Sequence, residues 1–143
     1  MNCKKLILAS AIGAAATLGF SADLMAKEKL NYYCSAQEDW CQLMAQGFTK
    51  ATGIKVYMSR ASSGETFAKI KAESKNPKGD VWWGGTGDPH LQAAEEGLTI
   101  AYDSPMRAEL QNWAIGQSES ANNKTIGIYS GALGFGYNED VLN

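Results

Sequence analysis

The sequence predicts an α/β fold, a mostly parallel sheet with helices on both faces. Short runs at 30–34, 54–58 and 80–83 have strand character. Segments of helical spacing follow each of them, and the connections are short. The resulting order, βαβαβα, is the one that parallel sheets covered by helices produce.

Leu30-Asn31-Tyr32-Tyr33-Cys34 reads as the first strand. From Gln37 the period changes: Trp40, Leu43, Met44, Phe48 and Ala51 fall at helical spacing, and Gly53 is the natural stop. Ile54-Lys55-Val56-Tyr57-Met58 alternates like a strand. Ser62-Ser63-Gly64-Glu65 opens a second helix with Phe67 and Ile70 on its inner face. Pro77-Lys78-Gly79 is a turn, and Asp80-Val81-Trp82-Trp83 a compact strand whose two tryptophans point to opposite faces. A third helix is expected from Pro89 to Glu96, with Asp88 as N-cap and Gly97 as stop. Segment 98–101 reads as a short strand. Ser104-Pro105 is a possible start for a helix reaching Trp113, and 116–123 is loop-like. Strand candidates at 125–129 and 133–137 flank Ser130-Gly131-Ala132. Asn138-Glu139-Asp140-Val141-Leu142 looks like an N-cap and first helical turn, too short to stand alone. The expectation is that the chain is the front of a longer protein.

Composition narrows the function. With 45% hydrophobic and 20% charged residues the chain is of ordinary globular type, and 143 residues suit about one domain. Thirteen basic residues are spread along it against 15 acidic ones, which argues against nucleic acid as a partner. His90 is the single histidine, which removes most zinc sites and every Ser-His or Cys-His mechanism that does not use it. No Gly-x-Ser-x-Gly elbow is present, so an exported hydrolase is the weaker rival. A one-lobe module for protein contacts is the other. In the third helix's first turn, His90 fits a surface or capping residue better than a metal ligand.

The first residues read as an address. Two lysines precede an uncharged run from Leu6 to Ala22, and small residues lead into Lys27-Glu28-Lys29. This is the layout of a secretory signal over residues 1–26, cut after Ala26. Leu24 stands where a small residue is preferred, so the cut can shift; Cys3 is too early for a lipoprotein site. The alternative, an uncleaved anchor, needs a longer apolar run. Export to an oxidising compartment permits a Cys34–Cys41 disulfide; two free buried thiols are the other reading.

In an open α/β sheet, ligands bind outside the carboxyl ends of the strands. Here those ends carry Ser35 and Gln37, then Ser62, Ser63 and Gly64, then Thr86 and Asp88, and later Ser130 and Gly131. Ser62-Ser63-Gly64 is the sharpest of them. Leading helix N–H groups have no internal partner and lie at the positive end of the helix dipole, which suits an anion. Plain capping by Ser62 or Ser63 explains the same residues without a ligand. Gly84-Gly85-Thr86-Gly87 lacks the third glycine of a dinucleotide fingerprint. Trp83 is a candidate ligand wall as well as core, and Glu38-Asp39 an acidic first turn.

Several segments together resemble a family. Phe48-Thr49-Lys50-Ala51-Thr52-Gly53-Ile54-Lys55-Val56, Ser63-Gly64-Glu65, Ala68-Lys69-Ile70-Lys71-Ala72-Glu73, Asn76-Pro77-Lys78-Gly79-Asp80-Val81 and Ser130-Gly131-Ala132-Leu133-Gly134-Phe135-Gly136-Tyr137-Asn138 resemble, in this order, periplasmic solute-binding proteins of ABC importers, in the ferric-iron-binding group. The likeness runs over essentially all of 29–143. It implies the first lobe of a two-lobe, class II binding protein, with a solute held between lobes that close about a hinge. The implied organisation is a signal segment at 1–26, an α/β lobe at 27–130, and a crossover strand opening a second lobe at 131–143. It implies a monomer that captures ferric iron or a small anionic solute and delivers it to an inner-membrane ABC permease. No catalysis and no resident cofactor are implied, Fe3+ being cargo.

Iron-binding members place a histidine after the first strand and a glutamate after the third. Here those loops read Ser35-Ala36-Gln37-Glu38 and Gly84-Gly85-Thr86-Gly87, and the family's tyrosine pair would fall beyond Asn143. The Ser/Thr/Gly lining is closer to relatives that bind phosphorylated sugars or organophosphonates. The expected ligand-binding residues are Ser35, Gln37, Ser62, Ser63, Gly64, Thr86, Asp88, Ser130 and Gly131.

Overall fold

A computed structural model describes residues 29–132 and 134–142. The expected signal segment, Leu133 and Asn143 lie outside the described residues. The element order is β1 (Lys29–Cys34), α1 (Glu38–Thr52), β2 (Lys55–Arg60), α2 (Ser63–Ala72), β3 (Val81–Trp83), α3 (Gly87–Glu95), a 3-10 turn (Arg107–Glu109), α4 (Asn112–Ser120) and α5 (Glu139–Leu142).

The three strands form a parallel sheet in the order β2-β1-β3. The central strand is covered on both faces, which is why it reads as a continuous apolar run: Tyr32, Tyr33 and Cys34 are all buried. On one face Tyr32, Cys34 and Ala36 meet Cys41 and Ala45 of α1, with Val56, Met58 and Trp83 alongside. On the other, Trp82 stacks on His90 of α3, and Tyr33 donates to Glu73 just past α2 at 2.8 Å. Trp82 and Trp83 do face opposite ways. Burial, then the bond to Glu73, pushes the Tyr33 hydroxyl up to about 12. Gly79 has no side chain because a Cβ would lie 2.6 Å from the Tyr33 ring.

Helix ends follow local chemistry. Glu38 and Asp39 occupy the positive end of α1 and Lys50 its last turn. Gly53, at φ 76°, closes it with its N–H on the Thr49 carbonyl. Cys34 and Cys41 are joined, with Cα atoms 5.9 Å apart, pinning the start of α1 to the end of β1.

Five expectations are corrected. Segment 98–101 forms no strand. The helix sought from Ser104 to Trp113 is only a 3-10 turn at Arg107–Glu109, and α4 occupies what read as loop. Its inward residues are Ala114 and Ser118, small and four apart, so they leave no apolar stripe in the sequence. Asn122 and Asn123, at φ 52° and 59°, end it in the left-handed region that asparagine tolerates. Segments 125–129 and 134–137 are not strands, since no ladder partner is present among the described residues. Finally, α3 starts two residues before Pro89: Thr86, not Asp88, is its N-cap, and Asp88 sits in the first turn. On α1, Trp40, Leu43, Met44 and Phe48 are exposed among the described residues, the sheet contact being made by Cys41 and Ala45.

The Cys34–Cys41 link closes a short loop, and such links contribute about 2–3 kcal/mol by restricting the unfolded chain. Replacing both cysteines by alanine is expected to lower the melting temperature by several degrees, read by circular dichroism. Reductant should then shift the wild-type melt and leave the variant's unchanged.

Candidate functional site

The strand order reverses at β1, so the crevice of this sheet lies between the loops after β1 and β3. Two glycines let those loops meet. Gly84 and Gly85 have φ of 76° and 93°, where a side chain is strained. A Cβ on Gly84 would lie 2.8 Å from that of Ala36. On Gly85 it would lie 2.8 Å from the Ser35 Cβ and would clash with Ser63 Oγ. The glycine run that looked like a poor nucleotide fingerprint is a close-approach device.

Ser35, Ser63 and Thr86 are thereby brought together. The Ser35 hydroxyl accepts from Trp82 Nε1 at 2.9 Å and shares a hydrogen bond with Thr66 Oγ1 at 3.1 Å. Ser63 Oγ accepts from the Thr86 N–H at 3.0 Å, joining the starts of α2 and α3. Ser62 is turned to capping. Its hydroxyl accepts from the Glu65 N–H and donates to the Glu65 carboxylate, which also takes the Ser62 N–H. These donors hold the Glu65 carboxyl below the usual carboxylate range. The Thr66 N–H bonds to the Ser62 carbonyl, so the Ser63 and Gly64 N–H groups are the two at the head of α2 without an acceptor among the described residues. Gly64 is exposed, with open space where a Cβ would stand. Gln37, Asp88, Ser130 and Gly131 are exposed, and no hydrogen bond ties them to this cluster among the described residues.

Four other residues build the site, and sequence reasoning gave them no part in it. Thr66 is buried beneath Ser35. Tyr129 places its hydroxyl 2.6 Å from Gly85 N and 3.1 Å from Gly85 O, accepting from one and donating to the other. Its ring packs perpendicular to that of Trp40 and tilted against that of Trp83. Trp82 and His90 form the floor: their rings stack at 3.7 Å, and His90 Nε2 donates to the Gly84 carbonyl at 2.9 Å. The one available signal was aromatic residues beside glycines, which sequence alone does not pair. Arg60 at the end of β2 donates to the Ala36 carbonyl at 2.7 Å and pairs with Glu38 at 3.6 Å, a half-exposed contact worth little by itself.

The site is an open edge rather than a cavity. Two surface depressions lie elsewhere, one of about 370 Å³ between α1 and β2 and one of about 70 Å³ between α3 and α4. No cluster of three or more His, Cys, Asp or Glu side chains suited to a metal occurs among the described residues.

Burial lowers the His90 pKa below 6.5, opposed by the Gly84 carbonyl. The unfolded chain therefore binds a proton that the folded chain refuses. His90's contribution to stability is complete above about pH 6.5 and is lost as pH falls through the depressed value. Denaturant titrations of wild type and His90→Gln are expected to show a steeper acid-side loss in the wild type. Equal slopes would contradict a buried neutral imidazole.

No protein-family model matches the chain. An uncharacterised protein of Haemophilus influenzae is 40% identical over 128 residues, 90% of this chain and 37% of its own length. Among solved structures, the periplasmic binding protein P5PA superposes with a TM-score of 0.63 at 36% identity, over 67% of this chain and 31% of that one. The periplasmic binding protein AfuA from Actinobacillus pleuropneumoniae, with exogenous fructose-6-phosphate bound, gives 0.59 at 45% identity, over 60% and 27%. Iron-bound HitA from Pseudomonas aeruginosa, at 21% identity and a TM-score of 0.58 over 61% and 28%, shares the fold. The chain thus spans about a third of the length of the proteins it matches. Over that stretch it is similar in sequence and fold to periplasmic binding proteins, and its sheet and helices match one lobe of their two-lobe architecture.

Proposed function

We propose that the chain is the first lobe of a periplasmic substrate-binding protein that captures a small anionic solute, or ferric iron, in a cleft between two lobes and delivers it to an ABC permease. The carrying observation is the head of α2. Ser62 and Glu65 complete the cap, and the Ser63 and Gly64 N–H groups remain at the sheet's carboxyl edge. Two N–H groups without an acceptor among the described residues, at a helix start beside a second helix start at Thr86, suit a phosphate, phosphonate or carboxylate. In this reading the lobe fixes the anion and the second lobe completes the enclosure by hinge closure. No bond in the solute is made or broken. An iron cargo would take its ligands chiefly from the second lobe. The organisation proposed is an export signal at 1–26, this lobe at 27–130 and the crossover from 131. Of the expected lining, Ser63, Gly64 and Thr86 would touch the solute, Ser35 would hold the floor, and Ser130 and Gly131 would approach from the crossover.

Native mass spectrometry of the full-length protein from periplasm is expected to show a chain beginning at Lys27 and an added mass fitting an anionic solute or iron. Ser63→Asp puts a carboxylate against the anion and is expected to weaken fructose-6-phosphate or phosphate binding at least tenfold, about 1.4 kcal/mol. Unchanged affinity by calorimetry would remove the α2 terminus from the site.

A further inference from the structure

Gly85 lies between two peptide groups, and Tyr129 holds both. Its hydroxyl accepts from the Gly85 N–H, which belongs to the 84–85 peptide, and donates to the Gly85 carbonyl, which belongs to the 85–86 peptide. The far side of the 85–86 peptide, the Thr86 N–H, is held by Ser63 Oγ. That peptide is therefore clamped from both sides, with Tyr129 on its oxygen and Ser63 on its nitrogen. The residue so clamped is a glycine at φ 93°, for which many other backbone conformations are open. The Tyr129 ring is itself held, its centroid 6.0 Å from that of Trp40 on α1 and 6.3 Å from that of Trp83 on β3. Ser130 and Gly131 follow directly in the chain.

We infer that Tyr129 is a positioning residue for the anion site: its hydroxyl sets the Gly85–Thr86 peptide that orients Ser63, and its anchorage carries Ser130 and Gly131 to the same edge. Loss of the hydroxyl lets the 85–86 peptide rotate. The Thr86 N–H then leaves Ser63 Oγ, and the head of α2 loses the contact that aligns it with α3. The aromatic contacts alone do not prevent this, because they fix the ring and not the peptide. Tyr129 touches no solute in this scheme and acts through Ser63 and Thr86. The inference rests on the anion-binding reading proposed above.

The test uses the full-length protein, wild type and Tyr129→Phe, which keeps the ring and deletes both hydrogen bonds. Hydrogen exchange at the Gly85 and Thr86 amides is expected to accelerate at least tenfold in the variant. Its affinity for inorganic phosphate, used as the probe, is expected to fall about tenfold by calorimetry, with a melting temperature close to wild type. Ser63→Ala should lower affinity similarly, and the double variant should lose little more, because both residues hold one peptide. Unchanged exchange overturns the inference. So does faster exchange with unchanged phosphate affinity, since the clamp then does not serve the site. A wild-type protein that binds no phosphate instead overturns the anion reading, and the inference falls with it. Binding in the wild type with equal binding in Tyr129→Phe removes the inference alone.

Discussion

The close approach of Gly84 and Gly85 to Ala36, Ser35 and Ser63 is the constraint on which the rest of the site depends. Positive φ at both glycines bends the chain sharply as it leaves β3, and the missing side chains leave room for the loop after β1 and for the Ser63 hydroxyl. Three polar links across the edge follow from it: Thr86 to Ser63, Tyr129 to Gly85, His90 to Gly84. Any larger residue at 85 would separate the starts of α2 and α3. Two positive helix ends would then point to different places instead of one.

The sheet supplies the frame for this approach. With β1 in the centre, the loops after β1 and β3 are neighbours although β2 and α2 come between them in sequence. The Cys34–Cys41 link and the buried faces of Tyr32 and Tyr33 hold that central strand on both sides. The polar residues at its carboxyl end can then be spent on contacts across the edge. Ser35 illustrates the division of labour: its hydroxyl ties Trp82 to Thr66, so it holds the floor rather than facing solvent.

Much of this frame was legible in the sequence. Strands β1 to β3 and helices α1 to α3 announce themselves by period, by a serine cap at Ser62 or Ser63, which the structure assigns to Ser62, and by the Gly53 and Gly97 stops. What stayed hidden has physical reasons. Helix α4 turns small residues inward, so it lacks an apolar stripe. The apolar runs near 125–137 read as strands, yet a strand needs a partner ladder that the described residues do not offer. Ser63 and Thr86, which meet at the sheet edge, were singled out from their place at strand ends. Tyr129 was not, because its partner lies 44 residues earlier and is a backbone group. The fold and the kinship are thus carried by local pattern, while the details of the site are carried by backbone contacts that pattern does not encode. The fold does not choose the solute either: the matched structures include a fructose-6-phosphate complex and an iron complex on one fold.

The central claim is that an anion is held at the head of α2. A phosphate titration of the full-length protein, followed by backbone amide chemical shifts, tests it most directly. The account predicts saturable shifts largest at Ser63 and Gly64, with smaller ones at Thr86. Shifts absent there and concentrated instead around Ala45 to Lys50, in the depression between α1 and β2, would contradict it.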